Sequence, residues 1–183
     1  MLRFLTTNRH KFDEFRAKAE SYGLEIEMVE IDYEEIQAPD LAEIALRSAQ
    51  ICRERVEGPF FLEDSGLFVE ELNGFPGPYS SYVFSTVGTR GILDLLRDRQ
   101  GREAEFKSVI CHFDGEGYSV FRGSVGGRIS EEARGSAGFG YDPIFIPLGH
   151  DLTFAEMGPE KNRCSHRARS AEKFFTTVSH AGP

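Results

Sequence analysis

The opening stretch of the chain alternates between strand-like and helix-like patterns of apolar residues. A short apolar run over residues 2–6 predicts a buried strand, and apolar positions at 3.6-residue spacing between Phe12 and Tyr22 predict a helix that ends near Gly23. Residues 25–31 predict a second strand. The order strand, helix, strand is the start of an α/β fold.

The second helix is marked at both ends. Asp40 and Glu43 form a D-x-x-E capping pattern at its start, and the Gly-Pro pair at 58–59 predicts its end. The apolar residues between these points fall on one helix face. Residues 60–62 then predict a buried strand that ends in the polar segment 63–66.

The rest of the chain supplies the remaining elements of such a fold. It predicts, in chain order, a turn over 74–78, a helix over 90–97, strands over 106–113 and 118–125 joined by a hairpin turn, a glycine-rich loop over 135–140 and a terminal helix over 168–178. The sequence contains no internal repeat or low-complexity segment. We therefore predict a single α/β domain over residues 1–183.

Composition and net charge indicate what kind of core and what kind of ligand this protein has. With 40% hydrophobic residues, 16 Phe and no Trp, the sequence predicts a core that Phe dominates. The net charge of −9 repels nucleic-acid backbones and anionic membranes, so we expect neither as a partner. A small anionic ligand is compatible with this charge, because local Lys and Arg side chains or a metal ion can reverse the field inside one cleft.

The cysteines and the apolar runs indicate a cytoplasmic protein. The three cysteines have no CxxC spacing, which fits unpaired thiols in a reducing compartment. No signal peptide is recognisable, and no apolar run reaches the ~18 residues that a membrane span needs.

The turn between the first strand and the first helix carries an anion-binding pattern. Its side chains are Thr6, Thr7, Asn8, Arg9, His10 and Lys11. Backbone N–H groups and the dipole at a helix N-terminus favour an anion, and hydroxyls with a Lys suit a phosphate chain. An ordinary capped helix with a solvated Lys is the structural alternative.

Carboxylates at the predicted strand ends suggest a metal site. Glu63, Asp64 and Ser65 follow the apolar run at 60–62, and Glu34 and Glu35 follow the second strand. Ligands of α/β sheets bind beyond the carboxyl ends of strands, and Mg²⁺ uses one or two carboxylates together with substrate phosphates. Either Glu34 or Glu35 could be the second ligand, and polar strand ends exposed to solvent are the alternative.

Two later segments could complete a nucleotide site. Phe139, Gly140, Tyr141 and Asp142 follow the glycine-rich approach, and aromatic rings beside a Gly can stack on a base. Residues 161–167 concentrate Lys, Arg, His and Ser donors that match a polyphosphate or a base carbonyl. Taken singly, a packing turn and a basic helix start explain these segments as well.

Together these motifs resemble the inosine triphosphate pyrophosphatase family, whose members hydrolyse non-canonical purine nucleoside triphosphates. The resembling segments occur in family order and span nearly the whole chain: 6–11, 63–66, 74–79, 139–143, 153–157 and 161–167. The resemblance implies hydrolysis of ITP, dITP and XTP to the nucleoside monophosphate and pyrophosphate, with Mg²⁺ as the cofactor. It also implies a homodimer and an elongated mixed β-sheet flanked by helices, with two lobes and a central substrate cleft.

The resemblance also implies a role for individual residues. Asp64 would accept a proton and belong to the metal site, and Glu35 would be the second metal carboxylate. The implied nucleotide contacts are Thr6, Thr7, Asn8, Arg9, His10, Lys11, Ser65, Phe139, Gly140, Tyr141, Asp142, Lys161, His166 and Arg167. Among these, Thr6, Asn8 and Lys11 would bind the phosphates and Phe139 would stack on the base. Independently of the resemblance, we expect Lys11 and Lys161 to stabilise the leaving pyrophosphate by their positive charge.

Three positions depart from the family pattern. Thr7 stands where many members have Gly, so a positive φ would be strained there. Ser81 lies near the position of a basic residue in some members, and Tyr141 replaces a Trp found in some. Two rival functions share the same residues: a nucleotide sensor without turnover, and a phosphatase that releases orthophosphate stepwise.

Overall fold

The protein has a mixed α/β fold with a seven-stranded sheet. The computed structural model describes residues 1–180. The strands are β1 (Leu2–Leu5), β2 (Ile26–Val29), β3 (Phe60–Val69), β4 (Pro76–Gly77), β5 (Glu103–Phe113), β6 (Tyr118–Ile129) and β7 (Phe145–Pro147). They hydrogen-bond in the order β2-β1-β3-β5-β6-β7, with β4 paired to β3. The predicted α/β class with a mixed sheet is thereby confirmed.

Parallel and antiparallel pairs both occur in the sheet. β1 runs parallel to β2, with Leu2 opposite Ile26, and parallel to β3, with Phe4 opposite Phe61. β4 is antiparallel to β3, and β7 is antiparallel to β6. The parallel pair β1 and β2 is joined by a helix, as the alternating pattern at the start of the sequence predicts.

Six α-helices accompany the strands over the described residues. They are α1 (Arg9–Glu20), α2 (Leu41–Arg53), α3 (Ser80–Leu95), α4 (Phe154–Met157), α5 (Lys161–Cys164) and α6 (His166–His180). No helix of these residues is both long enough and apolar enough to span a membrane. The predicted first, second and terminal helices are confirmed with shifted ends.

The chain divides into two compact units, which we call unit 1 and unit 2. Unit 1 contains Met1–Asp64, Ser108–Gly123 and the C-terminal segment from His166. Unit 2 contains Ser65–Lys107 and Ser124–Ser165. Each unit therefore combines segments that are distant in the sequence.

Phenylalanine dominates the core of unit 1, as the composition predicts. The Phe4 and Phe61 rings stack with centroids 4.6 Å apart, and Phe174 lies 4.8 Å from Phe61. Phe15 of α1 and Phe175 of α6 belong to the same buried cluster. This packing fixes α1 and α6, whose first turns carry Lys11 and Arg167.

Unit 2 has a separate core, in which Leu67, Val69, Ile92 and Phe154 are fully buried. The Phe106 and Phe145 rings meet edge to face at 4.8 Å. This core lies beneath the short elements that carry the residues from 139 to 161.

Two helix predictions were wrong in their boundaries. α2 ends at Arg53, before Gly58, and the Arg55 and Val56 N–H groups that follow it donate to the Cys52 carbonyl. α3 begins at Ser80, ten residues before the predicted start at residue 90. Its apolar periodicity is obscured because Gly88 interrupts it at φ 63° and because Tyr82 is exposed.

Candidate active site

The turn before α1 has the capping geometry that the sequence predicts. Asn8 is the N-cap, and its Oδ1 accepts a bond of 3.1 Å from the Lys11 backbone N–H. The Thr6 hydroxyl oxygen accepts from the Asn8 N–H at 3.1 Å. Among the described residues, Asn73 is the non-glycine residue with positive φ, so Thr7 carries no left-handed strain. Thr in place of Gly is therefore compatible with this turn.

The remaining residues of the turn differ in their surroundings. Arg9 and His10 are exposed, and Arg9 Nε lies 3.4 Å from Asp13 Oδ1. The Arg9 guanidinium also lies 5.2 Å from the centroid of the Phe12 ring. Their assignment to the substrate stays a prediction.

The Lys11 side chain crosses from α1 to β3. Its Nζ lies 2.9 Å from Glu63 Oε2 and donates to the Glu63 carbonyl at 3.2 Å. The Glu63 carboxylate is fully buried, while Lys11 keeps 18% of its side chain exposed. Lys11 therefore lies between a buried anion and solvent.

Glu63 also binds a second cation. Arg167 Nε donates to Glu63 Oε1 at 3.2 Å, and the Ser108 hydroxyl donates to the same oxygen at 2.6 Å. On its other side, Arg167 Nη1 donates to Glu14 Oε2 at 2.6 Å. The network thus contains two cations and two carboxylates, so its formal charges cancel.

These contacts keep Glu63 ionised although it is buried. Burial raises the pKa of the Glu63 carboxyl, but Arg167 and Lys11 outweigh this effect and lower the pKa to about 2. Removing one member of a buried charge pair costs about 3–5 kcal/mol, because the other charge is left uncompensated. Loss of any one of these charges is therefore expected to destabilise unit 1.

The position of this carboxylate pair corrects the sequence prediction. Glu63 and Asp64 do not end a strand, because β3 continues to Val69. Glu63 is tolerated inside the strand since Lys11, Arg167 and Ser108 neutralise and bond its carboxylate. Successive strand side chains point to opposite faces, so Asp64 faces away from this network and is half-buried.

The two predicted metal carboxylates lie near one tyrosine. Burial raises the pKa of the Tyr33 hydroxyl, and the Glu35, Cys52 and Asp64 side chains raise it further. Of the adjacent residues Glu34 and Glu35, Glu35 therefore acts electrostatically on the same tyrosine as Asp64.

This donor set fits a magnesium ion that also binds substrate phosphates. No group of three or more His, Cys, Asp or Glu side chains within residues 1–180 is arranged to hold a metal. Mg²⁺ does not need such a cage, since it is usually bound by one or two carboxylates, phosphate oxygens and water. Glu35 and Asp64 supply two hard oxygen donors of this kind.

In unit 2, Asp142 organises the predicted base platform. Its Oδ2 accepts from the Phe139 backbone N–H at 2.9 Å and from Lys161 Nζ at 2.7 Å. Lys161 Nζ lies 5.0 Å from the centroid of the Phe139 ring, within cation–π range. Both charged side chains are almost completely buried, at 3% and 4% exposure. The carboxylate thus fixes Phe139 and Lys161 together.

The neighbouring glycine is needed for this arrangement. Gly138 has φ 75°, and a Cβ atom at this position would lie 2.1 Å from Asp142 Oδ2. The next aromatic residue is part of the core, since Tyr141 is 4% exposed and its hydroxyl donates to the Ser80 carbonyl at 3.1 Å. Gly140, with φ 63°, has no atom within 4 Å of such a Cβ.

We expect Gly138→Ala to displace Asp142 and with it Phe139. If Phe139 stacks on the base of ITP, as the family resemblance implies, the KM for ITP is expected to rise about tenfold, which corresponds to about 1.4 kcal/mol. Gly149→Ala is the matched control, because Gly149 has φ 83° but open space around its Cβ position. Both substitutions carry similar backbone strain of about 1–2 kcal/mol. Equal KM values for the two variants, measured by steady-state kinetics, would contradict this role of Gly138.

The predicted cationic segment ends at the start of α6, and Ser165 connects α5 to α6. Ser165 follows α5, and the buried residues His166 and Arg167 begin α6. Gly123 permits close packing here, since its Cβ would lie 2.2 Å from the His166 carbonyl oxygen. The backbone of β6 therefore lies directly against the first turn of α6.

Sequence reasoning missed several residues that hold these side chains. Ser108 and Ser170 bond each other at 2.8 Å, and Glu14 holds Arg167. A signal existed for the serines, because Ser108 interrupts an apolar strand and Ser170 lies on the apolar face of a helix. Nothing in the local pattern distinguishes Glu14 from a solvated helix residue.

The fold and these contacts define a mixed α/β protein with a capped helix start whose Lys11 pairs with a buried carboxylate, two carboxylates that act on one tyrosine, and an aromatic ring held by a buried ion pair. The model of the Ham1 family matches residues 2–177. The chain belongs to the Ham1 family.

Known relatives match over nearly the full length. The dITP/XTP pyrophosphatase of Thermococcus kodakarensis is 53% identical over 174 residues, which are 94% of each chain. The dITP/XTP pyrophosphatase of Methanopyrus kandleri is 51% identical, over 93% of this chain and 92% of that protein. A solved HAM1 protein from Coxiella burnetii has a TM-score of 0.85 at 30% identity, and the match covers 98% of this chain and all of that one.

Proposed function

We propose that this chain hydrolyses the non-canonical purine nucleoside triphosphates ITP, dITP and XTP to the nucleoside monophosphate and pyrophosphate. This reaction would remove them from the nucleotide pool. The observation that carries the proposal is the match at 53% identity, over 94% of both chains, to a dITP/XTP pyrophosphatase. The contacts of unit 1 support it, because they place a lysine and a helix N-terminus beside carboxylates.

The phosphates are proposed to bind at the start of α1. The backbone N–H groups of this turn and the Thr6, Thr7 and Asn8 side chains would bind phosphate oxygens, with Lys11 as the cation. Ser65 follows Asp64 on β3 and would add a hydroxyl. Arg9 and His10 are exposed on the same turn and would contact the outer phosphates.

Asp64 is proposed as the proton acceptor of the reaction. The Glu63 carboxylate pairs with Lys11 and Arg167 on one face of β3. Asp64 is the next residue of the strand, so its side chain points to the opposite face. Asp64 would orient the attacking water and take its proton, as general bases do. Lys11 would stabilise the negative charge of the leaving pyrophosphate.

Magnesium is the proposed cofactor, held by Glu35 and Asp64. A bound Mg²⁺ supplies neutralisation of phosphate charge and lowers the pKa of water. The carboxylates themselves repel a triphosphate, so they favour its binding only together with a divalent cation.

The purine is proposed to stack on Phe139. Asp142 and Lys161 hold this ring. Stacking tolerates every purine, so selectivity must come from polar contacts. His166 and Arg167 would supply these contacts, and Tyr141 would support the pocket from the core.

The released anion tests this function. We expect ³¹P NMR of a reaction with ITP to detect pyrophosphate and IMP as the first products. Orthophosphate as the first product would establish the stepwise phosphatase instead. Tight ITP binding without any product would establish a nucleotide sensor.

We expect chelation to abolish hydrolysis. With excess EDTA, turnover of ITP should fall to the background rate, and added Mg²⁺ should restore it, because the carboxylates then regain their counter-ion. Circular dichroism before and after chelation is the control for folding. Hydrolysis that persists at full rate in EDTA would exclude the metal-dependent mechanism.

We further propose that the protein is a cytoplasmic homodimer. Large apolar side chains of α3 are exposed, with Tyr82 at 70% and Val87 at 52%. Such a patch on unit 2 favours contact with another apolar surface. Light scattering after gel filtration should give twice the 20.6 kDa mass of one chain. A single-chain mass at micromolar concentration would refute the dimer.

A further inference from the structure

One carboxylate holds two cations to which the proposed function gives different tasks. Glu63 Oε2 lies 2.9 Å from Lys11 Nζ, and Glu63 Oε1 accepts from Arg167 Nε at 3.2 Å. Lys11 is in the first turn of α1, and Arg167 is in the first turn of α6. Lys11 would bind phosphates and Arg167 would bind the base.

We propose that Glu63 is a positioning residue that couples phosphate binding to base recognition. The inference rests on the proposed function for the tasks of the two cations. Because both are bonded to the same carboxylate, a shift of this carboxylate moves both donors. Glu63 would therefore determine selectivity as well as affinity without touching the nucleotide.

The surrounding hydrogen bonds close a ring around Arg167. Ser108 donates to Glu63 Oε1 at 2.6 Å and is bonded to Ser170 at 2.8 Å. Ser170 donates to the backbone carbonyl of Arg167 at 3.1 Å. The ring joins the Arg167 side chain to its own backbone through Glu63, Ser108 and Ser170. The ring holds the guanidinium at Nε, and Glu14 holds it at Nη1.

An amide cannot replace this carboxylate. Lys and Arg are donors only, and a carboxylate offers an acceptor oxygen to each of them. In Glu63→Gln, the NH₂ group would face one of the two cations as a second donor, so at least one contact must be lost. The other contact would also weaken, because the side chain no longer carries a charge.

The test measures selectivity and binding in Glu63→Gln. We expect the ratio of kcat/KM for ITP to that for ATP to fall about tenfold or more, which corresponds to about 1.4 kcal/mol. This ratio does not depend on the folded fraction, because both substrates meet the same folded molecules. We also expect inorganic tripolyphosphate with Mg²⁺, and inosine alone, each to bind about tenfold more weakly by calorimetry.

Matched variants separate coupling from a general loss of charge. Glu172→Gln removes an exposed carboxylate from α6 of the same unit and should change neither binding nor selectivity. Lys11→Met should weaken the binding of tripolyphosphate more than the binding of inosine. Arg167→Lys should weaken the binding of inosine more than that of tripolyphosphate. If Glu63→Gln does not fold, Ser108→Ala decides the question, since it removes one bond to Glu63 Oε1 and should weaken both probes.

Two results would overturn the proposal. One is an unchanged ratio of kcat/KM for ITP to kcat/KM for ATP in a folded Glu63→Gln protein. The other is that Glu63→Gln or Ser108→Ala weakens the binding of only one of the two probes. The binding measurements need no turnover. A wild-type protein that binds both probes but releases no pyrophosphate would therefore refute the proposed function and leave the coupling testable.

Discussion

Asp64→Asn should lower kcat for ITP by about 10²–10⁴-fold, the range that loss of a general base typically produces. Asn keeps the shape of the side chain but loses the negative charge that accepts a proton and attracts a metal ion. Asp64 is half-buried and Asn has nearly the same size and shape, so the fold should tolerate this change.

The measurement is steady-state hydrolysis at saturating Mg²⁺, with thermal unfolding of each variant. Glu172→Gln is the control for removal of a carboxylate from unit 1, and it should retain full activity. Activity of Asp64→Asn within tenfold of the wild type would assign the proton acceptor to another group.

Arg167→Lys is expected to reduce the preference for ITP over ATP by up to about 10⁴-fold, the discrimination that a site built around one hydrogen bond can reach. The guanidinium has five donors and no acceptor, so pairing with Glu14 and Glu63 is compatible with a further bond to a carbonyl. Hypoxanthine and xanthine have a carbonyl at the purine six-position, whereas adenine has an amino group there.

Lysine is the appropriate replacement because it keeps the buried positive charge. Arg167→Ala would leave Glu14 and Glu63 without this cation, at a cost of about 3–5 kcal/mol. We expect kcat/KM for ITP to fall much more than kcat/KM for ATP in Arg167→Lys. An equal fall for both substrates would show that Arg167 serves positioning and that another residue recognises the base. GTP also has the six-carbonyl, so Arg167 does not exclude it.

Local patterns predicted those parts of the fold that depend on neighbouring residues. The order β1, α1, β2 follows from apolar spacing and from the Asn8 cap, and both act within a few residues. The hairpin between β5 and β6 closes with a bond from the Asp114 N–H to the Gly117 carbonyl, also a local contact. The first half of α3 was missed, because exposed apolar side chains give no amphipathic pattern.

The charge network could not be predicted in the same way. Glu63 meets Lys11 and Arg167 across 52 and 104 positions of sequence, respectively. In the sequence, Glu63 and Asp64 are two adjacent acidic residues, and no local pattern shows which of them has a structural role and which a catalytic one. The partners of Glu63 and the continuation of β3 to Val69 distinguish the two, and both depend on tertiary structure.

The discontinuous composition of unit 1 has a consequence for its synthesis. Phe4, Phe15 and Phe61 pack against Phe174 and Phe175, which are translated much later than the other three. Until α6 emerges from the ribosome, the core around these aromatic side chains is incomplete, and they remain exposed hydrophobic surface. Segments that pair across such distances also fold slowly. Nascent chains are therefore exposed to aggregation until α6 has been made, and during that interval a chaperone would bind β1 and β3.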